Sequence, residues 1–134
     1  MKKTNLKTTI KTILLTALAA TTAVSCKKAG TGGDAVIVAD IKHHETPIKG
    51  ATLYVKYNAE DLPSDPTNNY DLKIVGDAKE DHIHIEGLKW GKYYLYAVGF
   101  DSTISKPVIG GIGHKIKWSN RKAEIDLAVP VAEQ

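Results

Sequence analysis

Apolar and polar residues alternate along most of this chain with a period of two, the pattern of strands that bury one face. The longest such run follows the glycine-bounded segment Gly87-Leu88-Lys89-Trp90-Gly91. Within it Tyr93, Leu95 and Ala97 share one face while Tyr94, Tyr96 and Val98 share the other, and aromatic and branched side chains suit a pleated surface. The run is predicted to be the central strand, with Tyr93, Leu95 and Ala97 in the core. The same alternation groups Ile37, Ala39 and Ile41 on a strand opening at Ala35, against Val38, Asp40 and Lys42. It turns Ala51, Leu53, Val55 and Tyr57 inward on the next strand, with Thr52, Tyr54 and Lys56 outward, and it turns Ile83 and Ile85 inward between His82, His84 and Glu86. Residues 70–75 read as a short strand, and Ile112, His114, Ile116 and Trp118 share one parity of another. Ala123, Ile125, Leu127 and Val129 line a last strand, which Pro130 is expected to stop or to place at an edge.

Polar segments punctuate these runs. Residues 43–49, 77–81 and 119–122 read as turns and residues 101–106 as a polar connection, while residues 59–69, with Pro63, Pro66 and Asn68-Asn69, form a long loop. Leu62, the one large apolar residue of that loop, is expected to tuck onto the end of the core. Gly110, Gly111 and Gly113 are expected to loosen the start of their strand. With no helical period after residue 25, the pattern predicts an all-β fold over residues 35–134, a two-layer β-sandwich of about seven strands.

The first 25 residues follow a different pattern. Lys2, Lys3, Lys7 and Lys11 precede an apolar stretch containing Ile13, Leu14, Leu15, Ala17 and Leu18, the layout of a signal peptide. That stretch is too short and too rich in Thr and Ala to serve as a spanning helix. It ends Ala23-Val24-Ser25-Cys26, which resembles a bacterial lipobox with alanine in place of the usual leucine. The resemblance implies that Cys26 becomes the first mature residue and carries lipid. Cys26 is the single cysteine, so no internal disulfide can form. Residues 26–34, with three glycines, are expected to be a lipidated flexible tether with a reach of roughly 15 Å. Lys27 and Lys28 stand where some surface-exported lipoproteins carry acidic residues. The location implied is the bacterial cell envelope, lipid-anchored to the outer membrane and facing the periplasm.

The leader also explains the charge. The 134-residue chain has a formal net charge of +3, but four of its 18 Lys and Arg residues precede Cys26 and none of its 15 acidic residues does. The remainder carries 14 basic and 15 acidic groups, a net charge of −1, which is not the footprint of a nucleic-acid-binding domain.

Pro47-Ile48-x-Gly50-Ala51-x-Leu53-x-Val55, paired with Ile83-x-Ile85-Glu86-Gly87-Leu88-x-x-Gly91-x-Tyr93-x-Leu95, resembles the carboxypeptidase regulatory-like domains. Those domains have the transthyretin (prealbumin-like) β-sandwich fold, and the likeness spans most of residues 35–134. Such modules occur as appendages of enzymes, adhesins and outer-membrane transporters, so the resemblance implies a fold and no activity.

Candidate chemistry is sparse. Ser64, Ser102, Ser105 and Ser119 lie in polar segments outside any nucleophile elbow, and Gly110-Gly111-Ile112-Gly113 lacks the Lys-Ser/Thr and the helix of a phosphate loop. His82 and His84 project from one face of a strand, and His43-His44 forms a second pair in a turn, which makes these four the weak candidates for a metal site. No cofactor and no catalytic role is predicted. Tyr54, Tyr94 and Tyr96 face outward and, with Trp90 and Trp118, form the candidate contact surface for an envelope protein, a peptide or a glycan. The expected function is that of a non-catalytic, membrane-anchored binding module or structural accessory.

Overall fold

The computed structural model describes residues 29–134. The leader and Cys26 lie outside the described residues. Eight strands follow in order: β1 (Thr31–His43), β2 (Thr46–Pro47), β3 (Thr52–Tyr57), β4 (Leu72–Val75), β5 (His82–Leu88), β6 (Gly91–Asp101), β7 (Lys106–Ile116) and β8 (Glu124–Glu133). A single 3₁₀ turn, Trp118–Asn120, separates the last two. The strands form one curled sheet in the order β2-β1-β8-β7-β6-β3-β4, with β5 pairing with β1 alongside β2.

Every ladder is antiparallel except that of β1 with β8. β8 spends its first eight residues on β1, from Glu124 opposite Val36 to Val131 opposite His43, and pairs with β7 only through Ala132 and Glu133. The sheet turns over there, so that β1, β5 and β8 face β3, β6 and β7 across one core. Tyr93, Leu95 and Ala97 of β6, Leu53 and Val55 of β3, and Ile83 and Ile85 of β5 fill it, as the alternation predicts. Ile37, Ala39 and Ile41 of β1 line it from the same layer as β5.

Several expectations change. The first strand begins at Thr31, not Ala35, and residues 29–34, expected to be part of a flexible tether, are held by the fold. The Lys89 N–H donates to the Gly30 carbonyl at 2.8 Å, Thr31 and Ala35 both register with Leu88 across a bulge, and the Gly30 N–H donates to the Tyr93 hydroxyl at 2.9 Å. Gly33 is a glycine because a Cβ there would lie 2.1 Å from the Leu88 carbonyl oxygen. Composition suggested a tether; the glycine serves a close backbone approach.

Pro130 does not stop the last strand, and it registers with Lys42 of β1 where β8 has no ladder partner on its β7 side, as an edge position would. Val129 and Val131 are buried on either side of it and carry β8 onward to Glu133. Leu62 is 57% exposed rather than tucked onto the core. The glycines of β7 lie in mid-strand, not at its start. On the outer face of the sheet, a Cβ at Gly113 would lie 2.0 Å from the Glu60 carbonyl oxygen, and one at Gly111 would lie 2.9 Å from the Tyr94 ring. These two positions let the long loop and the Tyr94 ring settle onto β7.

Candidate functional site

Four regions carry the residues singled out in the sequence: the outer face of β3 and β6, the two ends of β6, and the histidine pair of β5. Tyr54 and Tyr96 are register partners on adjacent strands, with Tyr94 two residues away on the same face, and all three are half-buried. The Tyr54 ring meets Tyr70 edge-on at 5.1 Å, and the Lys73 ammonium lies 5.6 Å from its centroid. Glu60, from the long loop, pairs with Lys92 at 3.0 Å beside Tyr94. Burial, then Tyr96 and Asp61, push the Tyr94 hydroxyl above its ordinary pKa. The rings face outward, and the loop lies against part of the surface they make.

The far end of β6 holds a buried histidine–aspartate hydrogen bond. His43 is the last residue of β1 and only 6% exposed, whereas the sequence placed it in a turn; Asp101, 2% exposed, ends β6 instead of opening a polar connection. His43 registers with Thr46 of β2, and its Nδ1 lies 2.8 Å from an Asp101 carboxylate oxygen. The Thr103 N–H donates to the other oxygen at 2.9 Å, and the Thr103 hydroxyl donates there as well. The Thr103 hydrogen bonds and then His43 hold the Asp101 carboxyl down at about 2. An ionised carboxylate accepts, so Nδ1 is the protonated nitrogen of His43. The His44 ring lies 4.5 Å away, and Lys106 donates to Glu133 at 2.6 Å nearby. A cleft of about 490 Å³ opens at the same end, lined by Pro47, Ile48, Phe100 and Thr103 among others.

This pair sets an acid limit on stability. The carboxyl titrates near 3.9 in an unfolded chain, so its contribution is fully present above that value and disappears as pH falls toward 2. The urea midpoint is expected to drop between about pH 5 and pH 2, and Asp101→Asn to flatten that drop while lowering the midpoint at neutral pH. An acid limb unchanged in the variant would remove Asp101 from the account.

The other histidine pair lies on β5. His82 and His84 meet edge-on at 4.9 Å, and His82 Nδ1 is 3.0 Å from Asp81. Among the described residues no three His, Cys, Asp or Glu side chains are grouped to hold a metal ion. His114 is half-buried opposite Tyr93, and burial lowers its pKa.

The near end of β6 has a different composition. Trp90 sits in the β5–β6 turn and Trp118 in the 3₁₀ turn after β7, and their rings meet at 5.4 Å and 80°. Arg121, which the sequence reading passed over, stacks its guanidinium 4.1 Å from the Trp118 centroid and donates through Nη1 to the Trp118 carbonyl at 2.9 Å. Its signal was available: Arg121 is the single arginine of a lysine-rich chain, three residues after a tryptophan, and a planar guanidinium stacks where an ammonium does not. The two rings border a cleft of about 270 Å³ lined by Gly32, Gly33, Asp34, Lys89, Arg121 and Lys122. Trp118 is 58% exposed. Ala29 packs against Gly91, so this corner adjoins the point at which the chain enters the fold. With ten residue steps between Gly91 and Asp101, it stands about 33 Å from the His43–Asp101 end.

Comparison with family models, with characterised proteins and with solved structures gives no match.

Proposed function

We propose that this chain is a non-catalytic, lipid-anchored domain of a bacterial cell envelope that works by binding, as a structural accessory to another envelope component. The leader and the lipobox-like run to Cys26 support export and anchoring. The observation that carries the binding reading is the solvent-open corner of Trp90, Trp118 and Arg121 beside the chain entry, where aromatic surface and three cations adjoin one cleft. The His43–Asp101 pair supports a structural role for its end of the sheet: the nearby Thr103 hydroxyl donates to Asp101 and is not presented to His43 as a nucleophile. For the finer fold, we propose a transthyretin-like β-sandwich, supported by the glycine-bounded turn leading into β6 and the Pro47 to Val55 pattern. A carbohydrate-recognition role is the second reading, favoured by an exposed tryptophan at the rim of a cleft.

Intact-mass measurement of membrane-extracted protein is expected to find residues 1–25 removed and lipid mass on Cys26. A photo-crosslinking residue at position 118, activated in the native envelope, is expected to capture an envelope component. An unmodified, freely soluble product ends the anchoring reading, and the absence of any adduct at position 118 ends the contact reading.

A further inference from the structure

We infer that the Trp90–Trp118 corner is a membrane-docking surface that seats Trp118 in the headgroup layer of an anionic bilayer. The inference rests on the anchoring reading above and names the envelope component that the corner meets.

Position is the first argument. Cys26 precedes Ala29 by three residues, and three residues span at most about 11 Å. Because the fold holds the chain from Gly30 onward, an anchor at Cys26 keeps Ala29 within that range of the anchor, and Ala29 lies against Gly91, next in sequence to Trp90 of the corner. Attraction between surface cations and anionic headgroups fades over a Debye length of about 8 Å, so cations beside the anchored end of the chain are the ones placed to contribute. Lys89, Arg121 and Lys122 line the cleft, against the single carboxylate of Asp34.

Chemistry is the second. Tryptophan favours the membrane–water interface, where its ring is apolar and its N–H remains hydrated. A sugar would have one face of Trp118 at most on which to stack, since Arg121 occupies the other and Trp90 meets that ring at right angles, which leaves carbohydrate binding the second reading. What the exposed ring and the surrounding cations suit is a layer in which apolar surface enters and positive charge meets phosphate.

The test uses the mature chain purified from its membranes and reconstituted in vesicles of lipids brominated on the acyl carbons nearest the headgroup, which quench tryptophan lodged at the interface. If intact mass shows no lipid on Cys26, the chain is coupled through that single cysteine to a maleimide-bearing lipid, so failure of the anchoring reading leaves docking measurable. Quenching is expected in vesicles containing phosphatidylglycerol and not in pure phosphatidylcholine, with loss in high salt. Trp118→Phe is expected to abolish most of it, and Lys122→Glu to weaken it without moving the urea midpoint. Quenching that is absent, equal in the two lipids, or unchanged by Trp118→Phe overturns the inference.

Discussion

Leu95→Ala lowers the stability of the fold by about 2–5 kcal/mol, and Ile85→Ala does the same from the opposing side of the core. Both side chains are fully buried, Leu95 on β6 and Ile85 on β5, in the two layers brought face to face by the curl at β8. Each substitution removes apolar area and leaves a cavity whose walls are strands fixed by their ladders, so little collapse is available to offset the loss. A domain of this size has a total stability of about 5–15 kcal/mol, so urea midpoints should fall well clear of error. Near-wild-type midpoints for both variants would mean that the inward and outward faces have been exchanged.

Tyr93→Phe is the second large effect, expected at about 2–4 kcal/mol although it removes a single oxygen. Tyr93 is 0% exposed, and its hydroxyl accepts from the Gly30 N–H at 2.9 Å and donates to the Lys89 carbonyl at 2.6 Å. Phenylalanine keeps the edge-on packing against Tyr57, 5.7 Å away, but leaves the Gly30 N–H and the Lys89 carbonyl without that partner. Burial raises the Tyr93 pKa, so the hydroxyl keeps its proton well into the alkaline range. Hydrogen exchange separates this loss from a general loosening: amides at Gly30 and Lys89 should speed up more than those of the β3–β6 ladder. Equal acceleration everywhere would refute a local latch.

The facing of β3, β5 and β6 was legible in the sequence because burial on one side of a strand writes itself into neighbouring residues. Contacts made at a distance were not. Asp101 looks like any loop aspartate until the curl brings His43 to it across 58 positions of sequence, and Gly33 looks like linker until Leu88 lies against it. The all-β class was visible, but β2, two residues long, leaves no period to read. Trp90 and Trp118 were picked out individually as exposed aromatics, whereas their meeting depends on the two turns sharing one end of the sheet.

The ordered entry of the chain also bears on shedding. A protease releasing an anchored domain works on extended chain in its groove, and exposed, unpaired segments are where such nicking concentrates. Between Gly30 and Ala35 the backbone is tied to Lys89, to the Tyr93 hydroxyl and to the β5 ladder, so cleavage there must wait for that end of β1 to open. Its rate then follows the opening equilibrium rather than the abundance of protease, provided that reclosing outpaces cleavage. Under the anchoring proposed above, retention at the membrane would depend on the folded state: whatever weakens the hold of Tyr93 on Gly30 would speed cleavage between Gly30 and Ala35.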